Sequence, residues 1–141
     1  YLAVGNLPRA AEYSAEARRR FERMSDRRWL AHVEDTGALI ALREGRPAAA
    51  LEMTERAIAH AEATGNQAAL TSAYVTKARA HAALDQTADA HVSYERAADL
   101  VRTVGPRARL REVLGEWADL LAAAGQHERA YALTREALAS G

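Results

Sequence analysis

A spacing of forty residues runs through the chain without insertion or deletion. Gly5, Gly45 and Gly125 stand at multiples of it, and Asp85 fills the slot that lacks a glycine. Ala10, Ala50, Ala90 and Ala130 keep the same step, as do Ala17, Ala57, Ala97 and Ala137. Leu30, Leu70 and Leu110 form a further column, Ala38, Ala78 and Ala118 another, and Gly65 pairs with Gly105. Alanine columns come easily in an alanine-rich chain, but leucine and glycine columns in the same register do not. A fixed period of this kind marks a repeat architecture. Each unit is one supersecondary element that buries its apolar face only by stacking on its neighbours.

Each period reads as two helices. Leu110, Val113, Leu114, Trp117, Ala118 and Leu121 follow the spacing of an amphipathic helix, and Leu70, Ala73, Tyr74, Ala78, His81 and Leu84 do so one repeat earlier. The turns that follow hold Arg43 to Pro47, Leu84 to Thr87 and Ala124 to His127. Glycine ends a helix through its left-handed conformation, and proline opens the next. Ser25-Asp26 takes the place that Gly65 and Gly105 hold later. These signals predict helices near 8–24, 28–44, 47–64, 67–84, 87–104, 107–124 and 127–139. The fold class expected is all-α, a single domain over 1–141, with a partial repeat at 1–24 and repeats at 25–64, 65–104 and 105–141, about three and a half in all.

The rest of the composition removes several functional classes. There is no cysteine, so no disulfide framework, thiolate metal site or cysteine nucleophile. Basic and acidic residues balance at 19 each, which argues against a stand-alone nucleic-acid binder. The run of Arg18, Arg19, Arg20, Arg23, Arg27 and Arg28 is interleaved with Glu16, Glu22 and Asp26 and reads as a solvated helix face. No apolar run is long enough to cross a bilayer. The histidines (His32, His60, His81, His91, His127) show no metal-ligand spacing, and no phosphate-loop, dinucleotide, nucleophile-elbow or zincin motif occurs. Catalysis, metals and cofactors are therefore not expected.

The paired helices with a tight glycine turn and small residues seven apart resemble the tetratricopeptide repeat. Ala38, Ala78 and Ala118 match the small residue of its first helix. Ala10 with Ala17, Ala50 with Ala57, Ala90 with Ala97 and Ala130 with Ala137 match the alanines of its second. Tyr74 falls at the tryptophan slot and Tyr94 at the phenylalanine slot. Glu22, Glu62 and Arg102 replace the helix-ending proline, and the period exceeds the usual ~34 residues. The resemblance implies a right-handed superhelix of antiparallel helix pairs, an αα solenoid whose first helices line a concave groove. Carried over by column, the groove residues are His32, Asp35, Leu39 and Arg43, then Ser72, Val75, Arg79 and Ala83, then Glu112, Gly115, Asp119 and Ala123. The basic-amide set that family members use to grip a C-terminal carboxylate is absent, so the groove is expected to take some other peptide or protein segment.

Tyr1 to Val4 fall in the columns of Ala41 to Glu44, so they are expected to be the last turn of a helix that begins upstream, in a longer parent protein. An uncapped end invites another domain or a second copy, and a homodimer is among the expected partners. Arginine outnumbers lysine 18 to 1, which suggests a GC-rich bacterial genome. The segment from Leu120 to Leu138 resembles the C-terminal repeat of actinobacterial helix-turn-helix transcription regulators. That resemblance implies a cytoplasmic sensing or dimerisation part, with no membrane and no direct DNA contact by this segment. The alternative is an assembly module of a signalling or secretion complex without a ligand switch.

Overall fold

The computed structural model describes residues 7–139, with side chains from residue 15 onward except at position 21. Among the described residues the chain is helical throughout, with no strand. The helices are α1 (Leu7–Arg43), α2 (Pro47–Thr64), α3 (Gln67–Ala83), α4 (Thr87–Val104), α5 (Arg107–Ala123) and α6 (His127–Ala139). No helix among them is long and apolar enough to cross a membrane. The expected turn at Gly5, the helix end at Tyr1–Val4 and the side chain of Ala10 lie outside the described residues.

From α2 onward every helix begins and ends within one residue of its predicted bounds, because the turns are chemically specified. At Gly45, Asp85 and Gly125 the backbone is left-handed, with φ of 72°, 58° and 80°. Each turn closes with the same pair of bonds. Gly45 N–H donates to Leu42 O and Arg46 N–H to Ala41 O, at 3.1 and 2.8 Å. The pattern recurs from Asp85 and Gln86 to Ala82 and His81, and from Gly125 and Gln126 to Ala122 and Leu121. This is the Schellman stop, in which a left-handed residue lets two orphan carbonyls be satisfied. Gly65, φ 64°, repeats it between α2 and α3, and the Asn66 side chain then caps α3 by accepting from Ala69 N–H at 3.1 Å.

The structure departs from expectation at the N-terminal end. The helices predicted at 8–24 and 28–44 are one helix, α1, of 37 residues. Ser25 and Asp26 stand in the glycine column, but neither brings a left-handed backbone and no proline follows. The arginine- and glutamate-rich stretch around them favours helix, supported by the Arg20–Glu16 pair at 2.8 Å. Every described side chain from Glu16 to Leu30 is exposed. Ala17 and Leu30 thus do not join the packing columns to which they belong by register: Leu30 is 38% exposed, against 7% for Leu70 and 8% for Leu110.

Elsewhere the columns are the core. Ala38, Ala78, Ala50, Ala90, Ala57 and Ala97 are at most 1% exposed, and Ala118 and Ala130 are buried. Side chains this small let neighbouring helices approach at the short end of the ~8–10 Å range. Larger residues fill what remains. Ile58 and Ala61 pack with Leu70 and Ala73, and Tyr94 and Val101 pack with Leu110, Leu114, Trp117 and Leu121. Each helix packs on its sequence neighbours, and α1 also touches α3. Outer ties reinforce the stack. Arg102 of α4 holds both carboxylate oxygens of Glu136 on α6, at 2.6 and 2.8 Å, which keeps the Glu136 carboxyl below its ordinary range.

One polar contact crosses the core. The Trp117 indole N–H donates to His91 Nδ1 at 3.2 Å, so the imidazole is neutral with its proton on Nε2. Burial, then the charge of Arg129, lowers the His91 pKa from 6.5. A histidine depressed in the folded state takes up its proton more readily when unfolded. Its stabilising contribution is therefore present above 6.5 and is lost as pH falls from there through the lower value of the folded chain.

Two outcomes are expected. First, Gly125→Ala should cost about 1–2 kcal/mol, because a left-handed backbone strains any Cβ, whereas Asp85→Gly should hold or raise stability. Urea denaturation at constant m-value reads both. Second, stability should fall between pH 7 and pH 5, and His91→Gln should flatten that slope, as thermal melts across the range would show.

Candidate functional site

The first helices of the pairs, α1, α3 and α5, lie side by side. α3 is tied to α5 by Arg79, whose Nε and Nη2 reach Glu116 Oε1 at 2.8 and 2.7 Å, and by Arg109, whose Nη2 lies 3.4 Å from Ser72 Oγ. Three hollows open along this face. One, of about 240 Å³, brings together His32, Asp35 and Ser72 with Arg28 and Asn66. A second, of about 220 Å³, gathers Val75, Arg79 and Glu112 with Arg109 and Glu116. A third, of about 440 Å³, is lined by Leu39, Leu42, Arg43, Arg79 and Ala83. Of the residues singled out in the sequence, these hollows collect His32, Asp35, Leu39, Arg43, Ser72, Val75, Arg79, Ala83 and Glu112. Gly115 lies farther along α5, with open space where a Cβ would stand, and Asp119 beyond it is exposed.

The geometry adds Arg109 and Glu116, which column reading missed. Both cross-helix bonds join residues 37 apart rather than 40. The same offset relates Asp35 to Ser72 and Leu42 to Arg79 in their hollows. The hollows also join residues 40 apart, His32 with Ser72 and Leu39 with Arg79, so a side chain meets the next first helix at both spacings, one helical turn from each other. Scanning for opposite charges at 37 would have found the Arg79–Glu116 pair.

The electrostatics of the face are unusual in two places. Asp35 Oδ1 is buried without a hydrogen-bond partner. Thr76 lies beside the carboxylate, but its hydroxyl donates to Ser72 O at 3.0 Å. Burial raises the Asp35 pKa above 3.8, against the opposing influence of Thr76, Arg79, His32 and Arg109. Glu116 is held through one oxygen only, and its Oε2 is likewise buried without a partner. Burial tends to lower Arg79, but the bond and charge of Glu116 outweigh it and hold the guanidinium firmly protonated. Burial, with the Glu116 charge behind it, pushes the Tyr94 hydroxyl well up, so it stays neutral. The face therefore sets carboxylates, each with one oxygen enclosed, beside fixed cationic donors. That suits a ligand bearing N–H and C=O groups.

The other polar motifs take structural places. The arginine run on α1 is exposed, and among the described residues no group of histidines and carboxylates could hold a metal ion. Gly37 faces Met53, whose sulfur would lie 3.2 Å from an added Cβ, so close helix contact accounts for it. No protein-family model matches the chain, and no curated protein sequence matches it.

Asp35→Asn should raise the melting temperature at neutral pH. A carboxyl whose pKa is raised by folding binds its proton more tightly in the folded chain, so its ionisation costs stability as pH climbs past 3.8. Melts of the two proteins should therefore converge in acid and diverge toward neutrality.

Proposed function

We propose that the chain is a non-catalytic binding scaffold, a tetratricopeptide-like αα solenoid wound as a right-handed superhelix, which holds an extended peptide or protein segment across the α1–α3–α5 face. The observation that carries this reading is the gathering of acids and arginines, Asp35 in one hollow and Arg79, Arg109, Glu112 and Glu116 in the adjoining one, along one face. Such a set can meet the N–H and C=O groups of an extended segment. The arginines can take part as well. Arg109 is held by Glu112, a pair exposed on the carboxylate side and worth at most about 1 kcal/mol, so a ligand carbonyl can replace it.

The resemblance of the last repeat to bacterial regulators extends the proposal. The segment would be the cytoplasmic sensing or dimerisation part of a transcription regulator, with DNA contact made by another part. Ligand binding would then bias the stack between two curvatures, a population shift. A second reading, an assembly module without a ligand switch, is favoured by a different feature. Trp29, Val33 and Ile40 leave α1 with 65, 41 and 50% of their surfaces exposed on one side, an apolar strip suited to permanent contact.

Panning a random-peptide library against the chain separates the two. Selected peptides are expected to lose binding to Glu112→Trp, a change at an exposed position lining the central hollow, with the melting temperature unaltered. Peptides that bind this variant as tightly as the parent would remove the face from the reading. Peptides blocked by Val33→Glu instead would favour assembly.

A further inference from the structure

The joint between α4 and α5 breaks the regularity of the other turns. Gly105 occupies the column of Gly65, yet its backbone is extended, with φ −90° and ψ 168°, and only one cap bond forms, from its N–H to Val101 O at 2.8 Å. Pro106 is the cause, since a residue before proline is pushed into the extended region. A tight left-handed stop is thereby excluded, and α5 packs less extensively on α4 than α3 does on α2. The space left is a cavity of about 320 Å³, at the small end of the ~300–1,000 Å³ of ligand pockets.

Its chemistry is one-sided. Ala68, Leu100, Val101, Val104 and Pro106 give an apolar lining, and Thr71 spends its hydroxyl on Gln67 O at 2.9 Å. Arg109 is the single ionisable residue that lines it. That guanidinium is loosely engaged: Nη1 meets Glu112, whose side chain is 66% exposed, and Nη2 reaches Ser72 only at 3.4 Å. An apolar chamber with one under-used cation matches a ligand with an apolar body and one anionic end.

We propose that this cavity binds a small aliphatic monocarboxylate, with its chain among Leu100, Val101 and Val104 and its carboxylate on Arg109. Burial of the chain supplies affinity, and the planar guanidinium supplies selection, since it can meet a carboxylate through two parallel bonds. An uncharged alcohol of equal length forfeits the second contribution, and an amine meets a cation. The site does not rest on the peptide reading, but Arg109 borders both places, so a segment whose carbonyl took its guanidinium would compete with the carboxylate.

Octanoate and octanol, titrated into the isotope-labelled chain and followed by amide shifts, test it. Octanoate is expected to give saturable shifts confined to residues 67–71 and 100–109 and to bind more tightly than octanol. Arg109→Gln should weaken octanoate roughly tenfold and leave octanol unchanged. Ala68→Phe, at an exposed position on the rim, should fill the chamber and abolish both. Equal binding of the two probes, shifts centred elsewhere, or full octanoate affinity in Ala68→Phe would overturn the assignment. Circular dichroism checks that the variants fold, and the contrast between the two probes on the parent chain stands even if Ala68→Phe does not.

Discussion

Close approach of helices across alanine is the constraint on which the rest of the structure depends. Ala38, Ala50, Ala57, Ala78, Ala90 and Ala97 are almost wholly enclosed, and a larger side chain at any of them would push two helices apart along their length. Alanine brings little apolar area of its own. The core therefore gains stability from the bulky residues that alanine allows to interlock from adjoining pairs, such as Leu114 and Leu121 with Tyr94 and Val101. No single pair carries such a cluster alone. Helices pack more extensively within a pair than between pairs, and clusters of this kind add the cohesion across each joint, where a unit contacts only its neighbours. The same logic accounts for α1: Ala31, Ala38 and Ala41 are buried where α2 and α3 lie against the helix, while the stretch before Ala31, with no helix against it, stays exposed.

How the units stack decides what the surface can do. The side-by-side first helices bring an acid from α1, a hydroxyl or arginine from α3 and a charged residue from α5 into one strip. Arg79 is spent on Glu116 at one end of that strip, while Asp35 is left without a donor at the other. A carboxylate kept buried and short of hydrogen bonds does nothing for stability. It is the kind of local inconsistency that folded chains carry where something else is to be bound.

Much of the fold was legible because its signals are local. Glycine or aspartate in the turns and Pro47 at a helix start act through a few neighbouring atoms, and they set the bounds of α2 to α6, while the Asn66 cap was found only in the structure. The break expected at Ser25-Asp26 was inferred only by register, with no residue there able to enforce it, and local helix preference carried α1 through. Alanine was also an ambiguous guide, since it favours helix by itself and packing by its size. Ala57 proved to be core while Ala17, in the same column, is exposed. On the candidate face, the side of the first helices came only from the resemblance to the tetratricopeptide repeat. The partners across it, Arg79 with Glu116 and Arg109 with Ser72, were not readable, because they depend on how side chains of different helices meet.

Gly65 and Gly105 show how one neighbouring residue changes the meaning of a repeated one. Both stop a helix and both stand in the same column, but only Gly65 is free to turn left-handed. Pro106 denies Gly105 that conformation, and the backbone there runs so close to Val101 that a Cβ would fall 2.6 Å from a valine methyl. Glycine is thus required twice for unrelated reasons, conformational freedom at one joint and clearance at the other. A repeat that was uniform would stack with uniform gaps and offer the same shallow surface everywhere. The irregular joint concentrates its free space into one apolar chamber beside Arg109, and that local loss of packing is what gives an otherwise periodic surface a place of distinct chemistry.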